Sequence, residues 1–140
     1  MPVIDVARTG VMTASRDQSA GNLATVMQEE TVGSVIIEAD DRPVGIVTDR
    51  DLVLEVLEPR REASEVTAEE IMTETPVTVR DDAGVFDAIR QMHEESVRRM
   101  PVVDGDGLLA GIVTLDDLVV MLSDEMDTLA GIIEAESPPY

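Results

Sequence analysis

The sequence contains no cysteine, tryptophan or lysine, and its only Phe and Tyr side chains are Phe86 and Tyr140. The lack of cysteine excludes disulfide bonds, thiolate metal sites and a cysteine nucleophile. The scarcity of aromatic side chains removes the stacking platforms on which single-stranded nucleic acids bind. No apolar run approaches the roughly 18 to 20 residues that a membrane span needs. These absences indicate a globular protein that binds neither membranes nor nucleic acids.

Positively charged residues are also scarce. The ten basic residues are all arginine and stand against 30 acidic residues, which gives a formal net charge of −20. Duplex DNA and anionic bilayers repel such a surface. An acidic surface without lysine resembles proteins from salt-accumulating halophiles, in which a Debye length of roughly 3 Å at about 1 M salt removes most self-repulsion. The N-terminus has no apolar stretch behind a basic start, so we expect no secretory signal and a cytoplasmic location.

A repeated motif divides the chain into two similar halves. The pattern Gly-Ile-Val-Thr-x-x-Asp-Leu begins at Gly45 and again at Gly111. Upstream, two apolar sets with helical spacing begin at Ala20 and Val85. These two starts are one position closer together in the chain than Gly45 and Gly111 are. One residue is therefore inserted in the second copy, and we place it in the turn-rich segment 104–107.

Each copy predicts a strand, a helix, a β-hairpin and a final helix. The predicted ranges are 11–14, 20–30, 34–37 and 44–47 in the first copy, and 77–79, 84–95, 100–103 and 108–113 in the second. About 60 residues bury too little apolar surface alone, so we predict an α/β fold of two β-α-β-β-α repeats packed as a pseudo-twofold pair. The expected boundaries are a first repeat at 1–58, a charged linker at 59–66, a second repeat at 67–126 and a C-terminal extension at 127–140.

The repeated Thr-x-x-Asp has two compatible explanations. Thr48 and Thr114 can cap the helix that follows each strand, with Asp51 and Asp117 reaching back to the cap. A helix start at the end of a strand also offers free N–H groups to an anion, and an aspartate there can accept hydrogen bonds from sugar hydroxyls. The pattern therefore predicts either helix caps alone or helix caps that also bind a nucleoside phosphate.

The two motif copies, together with the segment from Val97 to Asp104, resemble the cystathionine β-synthase (CBS) domain, which occurs in tandem pairs. The resemblance covers roughly residues 4–122. It implies that adenosyl ligands bind in two clefts between the repeats, and the implied ligands are AMP, ADP or ATP. We expect no cofactor, no metal site and no enzymatic activity, because the chain has no nucleophile with a base, no P-loop and no metal-ligand spacing.

The resemblance also implies the residues of each cleft. The first cleft would be formed by Ile46, Thr48, Asp51, Thr75, Pro76, Val97, Arg98 and Arg99, with the two arginines on the phosphate. The second would be formed by Ile112, Thr114, Asp117, Gly10, Val11, Val32, Gly33 and Ser34. These positions of the second cleft carry no cation, so we expect it to be empty, weaker, or suited to a less charged ligand.

The final helix of each repeat has more apolar residues than one core-facing stripe requires, and similar modules pair through these helices. We therefore expect a C2 homodimer. The predicted function is an adenine-nucleotide sensor that alters a partner protein not identified by the sequence. The alternatives are a ligand-independent dimerisation or scaffold module, and a sensor of S-adenosylmethionine or NAD, which would share the adenosine contacts.

Overall fold

The computed structural model describes residues 1–137 and shows the same order of elements twice. The first half contains β1 (Thr13–Ala14), α1 (Ala20–Glu30), β2 (Ser34–Ala39), β3 (Arg42–Thr48) and α2 (Asp49–Leu52). The second half contains α3 (Ala68–Ile71), β4 (Thr73–Glu74), β5 (Val79–Arg80), α4 (Val85–Glu95), β6 (Arg99–Val103), β7 (Leu109–Thr114) and α5 (Leu115–Glu136). The predicted α/β class with two β-α-β-β-α repeats is confirmed.

The register of the two sheets confirms the alignment of the halves. β1 runs parallel to β2 and pairs Ala14 with Ile37. β5 runs parallel to β6 and pairs Val79 with Val102. Val79 follows Ala14, and Val102 follows Ile37, by the same number of residues as the start of α4 follows the start of α1. In each sheet the next strand is antiparallel, which gives the orders β1-β2-β3-β4 and β5-β6-β7.

The inserted residue lies in the hairpin turn, as expected. Glu38 pairs with Pro43 and Val103 with Leu109, so the two hairpins enclose four and five residues. In the shorter one, Asp40-Asp41 has positive φ at both positions. Two consecutive positive φ values are typical of a type I′ turn, which matches the twist of the strands and lets them pair two residues beyond the predicted ends.

Helices α1 and α4 bury equivalent faces. Ala20, Leu23 and Met27 of α1 are buried, as are Val85, Ala88 and Met92 of α4. The final helix of the first repeat differs from the prediction, because α2 has one turn and continues as a π-helical turn over Val53–Leu57. Pro59 follows and has no N–H to extend the helix.

Each repeat completes its core with a segment from the other half of the sequence. Val3, at the start of the chain, is fully buried in the core of the second repeat, and its N–H donates to the carbonyl oxygen of Ala83 at 2.7 Å. Val66, Ala68 and Ile71 are buried in the core of the first repeat. The packed units are therefore not contiguous stretches of the chain.

A third apolar cluster joins the repeats. It consists of Ile36, Ile46 and Ile112, one from each of β2, β3 and β7. Val11 and Leu109 pack against it. These contacts hold the two sheets together as the predicted pair.

One glycine in each hairpin, Gly45 in the first and Gly111 in the second, allows a neighbouring segment to cross it closely. The backbone at Arg8 exchanges two hydrogen bonds of 2.9 Å with Ile112 of β7, and a Cβ built on Gly111 would lie 2.7 Å from the carbonyl oxygen of Arg8. In the first repeat, β4 crosses β3 in the same way, and a Cβ on Gly45 would overlap the side chain of Met72. Close backbone approach therefore requires glycine at position 111, whereas at position 45 glycine makes room for a side chain.

Among residues 1–137, no helix combines the length and the apolar character that crossing a bilayer demands.

Candidate functional site

Thr48 and Thr114 cap the two helix starts that carry the repeated motif, as predicted, but of the two aspartates only Asp51 also reaches back to complete a capping box in the part of the chain that the structure describes. Thr48 Oγ1 accepts a hydrogen bond from the Asp51 N–H at 3.1 Å, and the Thr48 N–H donates to Asp51 Oδ2 at 2.8 Å. These two bonds form a complete capping box at α2. At α5, Thr114 Oγ1 accepts from the Asp117 N–H at 3.2 Å.

The carboxylate of Asp117 differs from that of Asp51 because it binds an arginine. Arg8 Nη2 donates to Asp117 Oδ1 at 2.9 Å, and Arg8 Nε donates to the same oxygen at 3.2 Å. Arg8 reaches this position because its backbone pairs with Ile112, near the end of β7. The two repeats therefore use equivalent aspartates differently.

The ion pair changes the pKa values of both partners. Burial alone would raise the pKa of Asp117, but hydrogen bonds from Arg8 and Thr114 and the charge of Arg8 lower it below its ordinary value. The hydrogen bond to Asp117 and its negative charge raise the pKa of Arg8. Asp117 therefore stabilises the folded chain above its unfolded pKa, and this contribution is lost as the pH falls through its lower folded pKa.

We expect Arg8→Gln to lower the free energy of unfolding by about 0.5 kcal/mol at pH 7, because the Arg8 side chain is 69% exposed and its ion pair is screened. The difference from wild type should shrink as the pH falls below the ordinary pKa of an aspartate and towards the lowered pKa of Asp117. Urea unfolding at pH 7, 5 and 3 measures it. Arg16→Gln is the control, since Arg16 has no carboxylate within 4.0 Å among residues 1–137. A difference that stays constant down to pH 3 would contradict the assignment.

The first predicted cleft is a cavity of about 360 Å³. Seven of the eight predicted residues lie on its wall, namely Ile46, Thr48, Thr75, Pro76, Val97, Arg98 and Arg99. Asp51 does not line it, because its carboxylate turns back onto the helix cap. Asp49 and Arg50, the first two residues of α2, line the cavity in its place.

The second predicted cleft is a cavity of about 350 Å³. Seven of its eight predicted residues also line it, namely Gly10, Val11, Val32, Gly33, Ser34, Ile112 and Thr114. Asp117 does not, and Asp116 lines the cavity instead. The expectation that this cleft lacks a cation is wrong, because Arg8, Arg98 and Arg99 all reach its wall.

Arg98 and Arg99 lie between the two cavities and line both of them. Arg98 forms a long ion pair with Asp116, with Nη2 and Oδ1 separated by 3.6 Å. Arg99 has no carboxylate within 4.0 Å among residues 1–137. With Arg8 and Arg50, four of the ten basic residues of the chain surround the two clefts, which concentrates positive charge there in a strongly acidic protein.

Sequence reasoning missed Arg8, although a signal for it was present. In the alignment that pairs Ala20 with Val85, Arg8 corresponds to Thr73, and Thr73 lines the first cavity. The pairings confirm this equivalence, since Arg8 lies opposite Ile112 and Thr73 opposite Ile46. Extending the repeat alignment towards the N-terminus would have placed Arg8 at the second cleft.

Comparison with known proteins identifies both repeats. The family model of the CBS domain matches residues 3–58 and 68–124. An uncharacterised protein of Methanopyrus kandleri is 40% identical over 116 residues, which cover 82% of this chain and 59% of that protein. Another from Methanocaldococcus jannaschii is 31% identical over 135 residues, covering 87% of this chain and 32% of the relative. The chain thus spans less than two thirds of the length of either relative.

A solved structure with the same fold contains bound ligands. The CBS domain pair of protein MJ0100, in complex with 5′-methylthioadenosine and S-adenosyl-L-methionine, superposes with a TM-score of 0.79 and 25% sequence identity. The alignment covers 89% of this chain and 98% of that one. Both halves of the chain therefore match one family in sequence and in fold, and the chain belongs to the CBS domain family as a tandem pair.

Proposed function

We propose that this CBS pair is a regulatory, non-enzymatic sensor that binds AMP, ADP or ATP in its clefts and alters a partner protein. The observation that carries the proposal is the composition of the first cavity, whose lining combines aliphatic side chains with arginines and the start of a helix. Its volume of about 360 Å³ falls within the range of roughly 300–1,000 Å³ that small-molecule sites occupy.

The base and the phosphate of a nucleotide both have matching groups in this cavity. Ile46, Pro76 and Val97 offer an apolar surface to the adenine ring. Arg98 and Arg99 offer positive charge to the phosphate, and their planar guanidinium groups suit bidentate contacts to its oxygens. The whole chain, with these arginines included, carries a net charge of −20, so an anion is attracted to the clefts more than to other surfaces.

The ribose would bind beside the cavity wall at Asp51, which follows the lining residues Asp49 and Arg50 but does not itself line the cavity. Asp51 Oδ2 is used by the Thr48 N–H, while Oδ1 accepts no hydrogen bond in the part of the chain that the structure describes. A ribose hydroxyl can donate to Oδ1 without breaking the cap. The adenosyl ligands of the MJ0100 pair support an adenosine site in this fold, and the arginines favour a phosphorylated ligand here.

The test is a thermal-shift panel in 1 M KCl with AMP, ADP, ATP, NAD, S-adenosylmethionine and adenosine. A ligand at 100 times its dissociation constant adds about 2.7 kcal/mol to the stability of the folded state. We expect AMP, ADP or ATP at millimolar concentration to raise the melting temperature more than adenosine does. A flat panel on the folded protein would exclude the sensor.

A ligand-independent dimerisation module is the second candidate function. Two observations favour it: the complete capping box, which explains Thr48 and Asp51 without a ligand, and the apolar side chains exposed on the terminal helices. Val53 and Leu57 are 50% and 69% exposed, and Val119 and Val120 are 56% and 60% exposed. These faces also support the C2 homodimer that we propose for either function.

Asp51→Asn separates the two candidate functions. The asparagine oxygen can still accept from the Thr48 N–H, so we expect a stability loss of less than about 1 kcal/mol. A neutral amide is a weaker acceptor for a ribose hydroxyl than a carboxylate, so AMP binding should weaken about tenfold. Isothermal titration calorimetry measures the affinity, and urea unfolding measures the stability.

The matched control is Asp117→Asn, at the equivalent position of the other repeat, where the carboxylate binds Arg8. It should leave the affinity of the first cleft unchanged. If Asp51→Asn lowers stability but leaves AMP affinity intact, Asp51 is only a helix cap.

A further inference from the structure

Helix α5 continues well beyond the body of the protein. Leu118 is its last fully buried residue, and every described residue from Leu122 onwards is exposed. The CBS family model ends at residue 124, whereas the helix continues to Glu136. The final three turns of α5 therefore lie beyond the residues that match the family model, and nothing within residues 1–137 covers them.

The exposed apolar residues of α5 form a seam with a regular spacing. Leu115, Leu122 and Leu129 recur every seven residues, and so do Val119, Met126 and Ile133. All six are at least 36% exposed, and Met126 and Ile133 reach 70% and 68%. Alternating steps of four and three residues are the heptad pattern of a helix that supercoils around another helix.

The residue types at these positions are those of a two-stranded coiled coil. The leucines occupy the d positions of the heptads, while Val119 and Ile133 place β-branched residues at two of the three a positions. Within parallel coiled coils, β-branched residues at a with leucine at d favour two strands over three or four. The same seam on a second copy of this chain is complementary to itself, which a C2 axis along the helix requires.

Charge does not oppose this pairing, although α5 has seven acidic residues and no basic ones. In a parallel pair each g position faces the following e position of the partner helix. Beyond the body, the g and e pairs would be Glu125 with Ala130 and Ile132 with Ser137, while Leu118, the first g position, is buried in the core of its own chain. No such pair brings two carboxylates together, and the seam ends at Glu136, the next d position.

The helix is also anchored where the seam begins. Isolated helices shorter than about 12–15 residues are marginal in water. Here Leu118 is buried in the second core and Met121 packs against it, so the first turns of α5 are ordered by the body. A second copy then needs to order only the turns that follow.

We propose that residues 115–133 of two copies form a parallel, two-stranded coiled coil that holds the two CBS pairs side by side in the same direction. The proposal extends the proposed homodimer and is independent of nucleotide binding. It assigns a role to the helix beyond residue 124 and selects the parallel dimer over the antiparallel one.

The absence of cysteine allows a direct test by disulfide cross-linking. Leu122→Cys and Leu129→Cys are made separately in the full chain and oxidised, with Thr128→Cys as the control on another face of α5. In a parallel, in-register pair both d positions lie beside their own copies, so both variants should give a covalent dimer, and the control should give less than a tenth as much. An antiparallel pair can bring at most one of the two positions together, because a disulfide needs Cα atoms within about 7 Å.

Light scattering on seam variants is the second measurement. We expect wild type at twice the chain mass of 15.1 kDa. Met126→Glu/Ile133→Glu should raise the dimer dissociation constant at least tenfold, while Thr128→Glu should change it less than twofold. If wild type is a dimer but Leu122→Cys, Leu129→Cys or both fail to cross-link, the parallel coiled coil is overturned and the homodimer stands. A monomeric wild type would overturn both. Neither result bears on the nucleotide panel.

Discussion

Arg98→Gln/Arg99→Gln is expected to weaken AMP binding about 100-fold. A hydrogen bond to a charged group contributes about 1.5–3 kcal/mol, and each 1.4 kcal/mol changes an affinity tenfold, so two such contacts account for the loss. The effect should extend to both clefts, because the same two arginines line both cavities. Removing Arg98 also leaves Asp116 without its partner, which adds a repulsive carboxylate to the second cleft. Isothermal titration calorimetry in 1 M KCl measures the change.

The charge-matched control is Arg80→Gln/Arg90→Gln. Both arginines are exposed, pair with Asp82 and Asp87, and do not line either cavity. This variant should bind AMP within about twofold of wild type, and adenosine affinity should be the same in both double variants. If the two double variants lose AMP affinity equally, the effect comes from net charge and the phosphate assignment is wrong.

Gly111→Ala is expected to destabilise the fold by about 3 kcal/mol. The new Cβ would lie 2.7 Å from the carbonyl oxygen of Arg8, which is backbone and cannot rotate away. Overpacking of this kind costs about 1–3 kcal/mol, and displacing the segment also breaks the two backbone hydrogen bonds between Arg8 and Ile112, at a net cost of about 1 kcal/mol each. For a chain of this length the melting temperature should fall by roughly 10 °C.

Two glycines provide graded controls for this change. Gly10→Ala should be close to neutral, since nothing lies within 4 Å of a Cβ built there. Gly45→Ala should have an intermediate cost, because the obstacle is the flexible side chain of Met72. Scanning calorimetry ranks the three variants, and equal melting temperatures for Gly111→Ala and Gly10→Ala would show that the N-terminal segment can move away freely.

The repeat made most of the fold predictable. Each element occurs twice at a nearly constant offset, so a pattern too weak to interpret once is observed twice in the same chain. The bounds of α1 follow from its apolar spacing, and the caps at Thr48 and Thr114 follow from chemistry within three residues. Seven of eight residues in each predicted cleft line a single cavity, and these residues were implied by the resemblance to the CBS domain rather than by local pattern.

The features that the prediction missed depend on contacts between distant parts of the chain. Arg8 binds Asp117 across 109 residues, and nothing local to Arg8 indicates that partner. The shared position of Arg98 and Arg99 follows from how the two sheets pack against each other. The directions of the Asp51 and Asp117 carboxylates depend on whether a guanidinium is within reach, which equivalent motifs cannot reveal.

The exchange of core segments makes the two repeats one cooperative unit. A cut in the segment between Glu58 and Val66 would leave one fragment without Val66, Ala68 and Ile71 and the other without Val3, so neither would contain a complete core. Melting one repeat removes a buried segment from the other, and partial unfolding of either half is therefore costly. A ligand that binds in either cleft consequently stabilises the whole chain, including the cleft that it does not occupy.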